Sequence, residues 1–331
     1  MDFKHDTVII IDTSYLIFKS FFSYPHLNTK ENPTGAFYGF IKAVIKMMKD
    51  HKTEFFVFAR DLPTPTWRHK ELSTYKAGRP EPAPELRFQF PIISDWAKTV
   101  SPTNTIAVEG FEADDLVLSA VNYINNNKLA KNILIFSSDR DLYQIFSGND
   151  NVRFIHGLEL FTKDNFIQKY NVRPQQWIDW KALVGDSGDN LKGVDSIGPK
   201  TASLILNQID SLDPIKTFVE TGEMPEILKS FCNGSAKNQQ LLDKIVKSWD
   251  TACQTRRLAT LTNVGEIKLD PNELIDLNLG IGELEKYNFA SIIKDLEYLN
   301  KKKNREKNLD NNPEKKLKTP KIKENASQEL F

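Results

Sequence analysis

Only two cysteines, Cys232 and Cys253, occur in 331 residues, so the chain has no disulfide framework and suits a reducing interior. Net charge is also missing. The 44 basic residues balance 44 acidic ones, so the basic excess common in nucleic-acid-binding proteins is absent and any such role must lie in where the charges sit. Long apolar runs are lacking too. The first, Thr7–Ile11, is far too short for a signal peptide or a membrane span, so a cytosolic protein without a membrane partner is expected. No internal repeat is found. What is present is 40% hydrophobic and 27% charged residues, over a length that allows one large domain or two modest ones.

Short β-rich runs occur at Thr7–Ile11, Phe55–Ala59, Thr105–Val108, Asn132–Phe136 and Asn151–Ile155. Amphipathic stretches lie between them, at Phe37–Met48 and at Leu116–Ile124, where Leu116, Val117, Ala120, Val121 and Ile124 share one face. Such alternation predicts an α/β fold with a mostly parallel sheet flanked by helices. From about Gln175 the pattern changes to helices with short loops, with Trp177, Trp180 and Val184 spaced as one buried face. The prolines between Pro63 and Pro91 predict a long excursion from the sheet rather than a compact element. From Lys301 the chain is polar and lysine-rich, a composition that predicts disorder.

Acidic residues recur where the predicted strands end. Asp12 ends the first and Asp61 follows the second. Glu112, Asp114 and Asp115 follow the third, and Asp139 and Asp141 the fourth. In a parallel sheet these positions share the carboxyl edge, where the sites of open α/β folds form. One such Asp reads most simply as a helix N-cap. Acids at four successive strand ends, some doubled, read better as a cation site, because like charges crowded together raise each other's pKa and repel. An all-oxygen set suits magnesium or manganese rather than zinc. Two such ions about 4 Å apart can activate water and stabilise a leaving phosphodiester oxygen. Asp186 and Asp189, in Gly185-Asp-Ser-Gly-Asp-Asn190, join this set only if the chain returns to the same crevice.

The turn Gly193-Val-Asp-Ser-Ile-Gly-Pro-Lys-Thr-Ala202 leads into an apolar helix, with Pro199 suited to the first helical position. Its amides could hold a phosphate, with Lys200 adding charge; a plain helix–turn–helix corner is the alternative. Pro199 separates the glycine from Lys200-Thr201 and no strand precedes the turn, which argues against a nucleotide-binding P-loop.

Taken together, these motifs resemble the 5′-nuclease family: the 5′→3′ exonuclease domain of bacterial DNA polymerase I, its stand-alone phage relatives and the flap endonucleases. The resemblance runs from about Val8 to Leu269. It rests on Ile11-Asp-Thr-Ser14 with Phe18 and Lys19, on Pro33-Thr-Gly-Ala-Phe-Tyr-Gly39, on Asp61 with Arg68, and on Tyr75-Lys-Ala-Gly-Arg79. Glu112-Ala-Asp-Asp115, Asp139-Arg-Asp141, Gly185-Asp-Ser-Gly-Asp-Asn190, the glycine-rich turn and Ser235-Ala-Lys-Asn238 complete it.

The resemblance implies a PIN-like core over residues 1–174 with a helical arch at about 62–98, and a helical DNA-binding part over 175–298 with a helix–three-turn–helix at about 180–206. A basic tail would follow over 299–331. Asp12, Asp61, Glu112, Asp114, Asp115, Asp139, Asp141, Asp186 and Asp189 fall on the family's metal-binding acids. Tyr75, Lys76 and Arg79 fall on the arch beside which the 5′ strand passes, with Lys76 at the scissile phosphate and Arg68 near it. Gly193, Gly198, Lys200 and Thr201 would grip the duplex backbone, in relatives with a potassium ion, and Lys237 matches a further phosphate contact. Phe88, Phe90 and Trp96 are candidates for stacking on bases, with core packing as the other reading.

The expected activity is that of a structure-specific 5′→3′ exonuclease and flap endonuclease, cutting DNA and RNA primers with magnesium or manganese in replication and repair. It would act as a free-standing monomer in the cytoplasm of a bacterium or a phage-infected host. A non-catalytic binder of branched DNA and a PIN-type ribonuclease are the alternatives. Four departures stand out: Thr13 where glycine is usual, Lys19 for arginine, Leu191-Lys192 for Ile-Pro, and Arg60 for an apolar residue. None removes an acid of the set. The basic stretch Lys301–Lys323 could add salt-sensitive attraction to DNA or be merely solvated. The final segment, Ser327–Phe331, loosely resembles peptides that dock on bacterial sliding clamps.

Overall fold

Three runs of apolar residues build the centre of the structure, a computed structural model that describes residues 3–29, 32–265 and 267–310. Val8–Ile11, Phe55–Ala59 and Ile133–Phe136 are all buried. Runs apolar at every position, rather than at alternate ones, belong to parallel strands covered on both faces. Six strands form the sheet: β1 (His5–Asp12), β2 (Phe56–Ala59), β3 (Thr105–Ile106), β4 (Ala130–Phe136), β5 (Val152–His156) and β6 (Glu159–Phe161). Their order is β3-β2-β1-β4-β5-β6, parallel except for β6, which returns antiparallel along β5 as a hairpin that the sequence did not announce. Successive strands run outward on one side of β1 and restart at β4 on the other. The carboxyl ends of β1 and β4 therefore flank a topological switch point, where a crevice opens.

Helices cover the sheet. They are α1 (Thr13–Ser23), α2 (Gly35–His51), α3 (Trp67–Glu71), α4 (Pro84–Val100), α5 (Ala113–Asn126) and α6 (Lys163–Tyr170). The expected helices at Phe37–Met48 and Leu116–Ile124 lie within α2 and α5. The proline-rich excursion is more ordered than expected, because α4 is a 17-residue helix with Pro84 in its first turn and Pro91 inside it. An interior proline removes one helical hydrogen bond. Here Leu86, Ile93, Trp96, Ala97 and Val100 make a continuous buried face that holds the helix together. Trp96 is core, edge-on to Phe37 and Phe40 at 6.3 and 6.1 Å, which decides against base stacking for that ring. Phe90 packs edge-on against Phe18 at 5.7 Å, and Phe88 is exposed.

The helical half follows with α7 (Trp177–Val184), α8 (Pro199–Ile209), α9 (Asp213–Thr221), α10 (Glu226–Cys232), α11 (Ala236–Lys247) and α12 (Trp249–Ala259). Met1–Asp276 forms one compact unit and Leu277–Phe331 a second. The second unit holds α13 (Ile281–Lys286) and α14 (Ala290–Asp310). Residues 299–310, expected to begin an irregular tail, instead continue α14, since no proline or glycine interrupts a run of good helix formers before Pro313. The rest of the expected tail, including Ser327–Phe331, lies outside the described residues. Among the described residues no helix is long and apolar enough to cross a membrane.

Gly35 opens α2 where that helix meets the end of α1. A Cβ there would stand 1.9 Å from the Tyr24 carbonyl oxygen, a backbone atom that cannot swing away. We expect Gly35→Ala to lower unfolding free energy by roughly 1–3 kcal/mol, read as a shift in urea midpoint at constant slope. A shift within about 0.5 kcal/mol would show that the junction yields.

Candidate active site

Asp12 ends β1 and starts α1, so its carboxylate caps the helix, accepting from the Tyr15 amide at 3.0 Å. Its other oxygen accepts from the Ser137 hydroxyl at 2.9 Å, across the switch point. Capping and a place in the crevice coincide here. Asp61, beyond β2, accepts from the Ser14 hydroxyl at 2.6 Å and from the Ala113 amide at 2.8 Å. Glu112 precedes α5 and Asp114 sits in its first turn. Asp139 accepts from the Asp141 amide at 2.8 Å in the turn beyond β4. Asp186 and Asp189 arrive from the helical half on a small hairpin in which Asp186 pairs with Leu191. The chain does return: Asp12, Asp61, Glu112, Asp114, Asp139, Asp141, Asp186 and Asp189 all line one crevice of ≈400 Å³.

Asp115 is the exception. It is fully buried, and Arg68 grips both of its oxygens at 2.7 and 2.9 Å. The Thr262 amide adds a third bond at 2.8 Å. The same guanidinium donates to the carbonyls of Leu258 and Thr260 at 2.8 and 3.0 Å. Asp115 therefore faces protein donors and is the one acid of the expected set that does not line the crevice. Arg68 is 2% exposed and also stands 3.4 Å from Glu112, an acid of the crevice. The pair ties the sheet half to the end of α12.

Three other cations pair with the crevice acids. Lys76 places Nζ 2.8 Å from Glu112 and 3.9 Å from Asp189. Arg79 reaches Asp189 at 2.5 Å. Tyr75 is buried and donates towards Glu112 and Asp189 at 3.1 and 2.8 Å. Lys181, which the sequence reading passed over, bridges Asp141 and Asp186, the latter at 2.6 Å. Its only sequence signal was a lysine between Trp180 and Ala182, in a helix whose one other charged residue is Asp179. Arg140, Ser14, Tyr15 and Phe18 also line the crevice and went unnoticed as site residues, with Arg140, Ser14 and Phe18 having counted only towards the family pattern.

These neighbours set the protonation of the acids. Burial, then the charge of Asp61, pushes the Asp12 carboxyl up to about 7. Burial and the charges of Asp139 and Asp12 hold Asp114 well above the ordinary carboxylate range. Asp139 is raised by burial, against the opposing pull of Lys181. Burial also acts to raise Asp186, but the Lys181 ammonium outweighs it and holds that carboxyl low.

Among the described residues no three acid, histidine or cysteine side chains form a ready coordination shell. The donor chemistry nevertheless fits hard divalent cations, with buried oxygens whose ionised forms lack enough positive charge. Asp12, Asp61, Glu112, Asp114, Asp139, Asp141, Asp186 and Asp189 are the residues able to hold them.

The glycine-rich turn lies between α7 and α8. Gly193 abuts the backbone of α7, where a Cβ would stand 2.4 Å from the Val184 carbonyl carbon. Gly193 and Gly198 line a second cavity of ≈700 Å³ together with Lys192, Asp195 and Ser196. Lys200 is exposed and Thr201 half-buried in the first turn of α8, while Lys237 is exposed at the start of α11. Neither Lys200, Thr201 nor Lys237 lines the acidic crevice.

Two expectations about charge follow. Arg68→Met strands the Asp115 carboxylate and should cost on the order of 3–5 kcal/mol in chemical denaturation, far more than loss of a surface charge. The second concerns Asp12. Folding takes up a proton between the ordinary carboxylate pKa of 3.8 and the raised value of about 7. Metal-free stability therefore falls as pH rises through that window. In chelator, Asp12→Asn should be more stable than wild type at pH 8, by about 2–4 kcal/mol, with the gap closing near pH 4. A gap independent of pH would show that the carboxyl is ionised throughout.

Known proteins agree with this geometry. Residues 7–171 match the 5′-3′ exonuclease N-terminal resolvase-like domain, and residues 172–278 match the 5′-3′ exonuclease C-terminal SAM fold. A 5′-3′ exonuclease of Aquifex aeolicus is 35% identical over 63% of this chain and 72% of its own length. One from Mycoplasmopsis pulmonis is 30% identical over 89% of this chain and 95% of its own. DNA polymerase I of Bacillus subtilis is 31% identical over 81% of this chain, which spans only 29% of that polymerase. The fold is shared with the D15 protein of bacteriophage T5, solved with metal ions, at 19% identity and a TM-score of 0.60 over 87% of this chain and 98% of that one. With both of its domains matched in order, the chain belongs to the 5′-3′ exonuclease family and is a hydrolase of that class.

Proposed function

We propose that this chain hydrolyses DNA phosphodiesters at 5′ ends and at the base of 5′ flaps, using two magnesium ions for which manganese can substitute. The observation that carries this reading is the convergence of eight carboxylates, from both halves of the chain, beside the basic residues Lys76 and Arg79. Divalent ions bound among these acids supply an activated water and neutralise charge at the leaving oxygen. With divalent ions held at Glu112 and Asp189, Lys76 and Arg79 would be available to pair with the scissile phosphate, and Tyr75, hydrogen-bonded to the same two acids, would keep this segment against the crevice. Phe18 and the exposed Phe88 border the path of a single strand and offer stacking faces.

The turn at Gly193 to Thr201, with Lys237, is assigned to the duplex backbone, and the ≈700 Å³ cavity behind it to a phosphate with a potassium ion. Such contacts read structure rather than sequence. They suit flaps, 5′ ends and RNA primers met by a cytoplasmic monomer in replication and repair.

The test is cleavage of a 5′-labelled flap on duplex DNA, with magnesium or chelator, for wild type and Asp139→Asn. Magnesium-dependent release is expected, reduced more than about a hundredfold in the variant. Tight binding without cleavage under either condition would leave a structure-specific DNA binder instead.

A further inference from the structure

Lys181 is 3% exposed on α7, between the buried residues Trp180 and Ala182. Its ammonium joins two acids from different parts of the chain: Asp141 from the turn beyond β4 and Asp186 from the hairpin beyond α7. A buried ammonium is costly unless paired, and so are two facing carboxylates without a cation. Here the two costs cancel. The crevice is therefore uneven. Glu112 meets the ammonium of Lys76, which is partly exposed, and at 3.4 Å the edge of the buried Arg68 guanidinium, while Asp189 meets the half-exposed Arg79. Among the described residues no salt bridge is formed by Asp12, Asp61 or Asp114, and only the Asp141/Asp186 corner carries an ammonium fixed in the core.

We propose that Lys181 is a positioning residue: a built-in counter-ion that assembles the Asp141/Asp186 corner before any metal arrives and lowers that corner's affinity for a divalent cation. It thereby makes the two ends of the crevice unequal, so that the bare acids around Asp12 and Asp114 fill first. This rests on the reading of the crevice as a divalent-metal site. Removing the ammonium leaves two carboxylates facing each other, which weakens the metal-free fold and strengthens the pull on a metal ion. One charge thus acts in opposite directions on the two states.

The experiment compares wild type, Lys181→Met and Lys181→Arg by melting in chelator and by calorimetric titration with magnesium alone. Lys181→Met should melt lower in chelator, recover most of the difference in saturating magnesium, and bind the weaker magnesium about tenfold more tightly, equivalent to about 1.4 kcal/mol. Lys181→Arg should stay near wild type in both. Equal loss of melting temperature with and without magnesium, or an unchanged weaker affinity, would overturn the proposal and make Lys181 a packing residue. If Lys181→Met does not fold in chelator, adding Asp141→Asn restores the net charge of the corner and should restore folding; failure of the double variant overturns the proposal as well. Wild type that binds no magnesium would defeat the metal-site reading itself, an outcome distinct from either.

Discussion

Repulsion among the carboxylates of one crevice is the constraint on which the rest of this structure turns. The acids cannot disperse, because each is fixed by backbone geometry: Asp12 by the end of β1, Glu112 by the start of α5, Asp186 by a hairpin. Charge must therefore be brought to them. The segment between α3 and α4 supplies Lys76 and Arg79, α7 supplies Lys181, and the raised pKa of Asp12 lets protons fill part of the remainder. A site so unbalanced by itself is suited to gain a great deal from cations, and this is what a metal-dependent hydrolase needs.

The two halves of the chain share that work. The sheet half provides acids at a switch point, and the helical half provides Asp186, Asp189 and Lys181. They are held in register by a cluster on the buried Arg68, which also stands 3.4 Å from Glu112 of the crevice. Arg68 links Asp115 to the carbonyls of Leu258 and Thr260, so α3, α5 and the end of α12 meet on one guanidinium. Breaking that cluster opens none of the crevice acids, but it loosens the frame that keeps them close. Arg rather than Lys suits the position, since a planar fork can satisfy a carboxylate and two carbonyls at once.

Much of this was legible beforehand for local reasons. An unbroken apolar run announces a buried parallel strand whatever surrounds it, so β1, β2 and β4 could be read directly. A single acid is ambiguous, yet acids after four such runs are not, because a parallel sheet brings its carboxyl ends together. The hairpin strand β6 carried no such signal, since Glu159–Phe161 is short and half-exposed. The proline-rich stretch misled for the opposite reason. Proline is a local veto on helix, whereas the buried face of α4 is a tertiary reward.

The sequence by itself determined the α/β order, the chemistry of the acids and the family pattern, because these depend on residue type and spacing along the chain. Only the tertiary structure decided which acids share solvent and which are consumed internally. Asp114 and Asp115 are neighbours in sequence, but on a helix they point in different directions, one to the crevice and one to Arg68. Lys181 looked like any helical lysine until folding buried it between two carboxylates. Burial and partnership are properties of packing, and packing is set by contacts far apart in the chain.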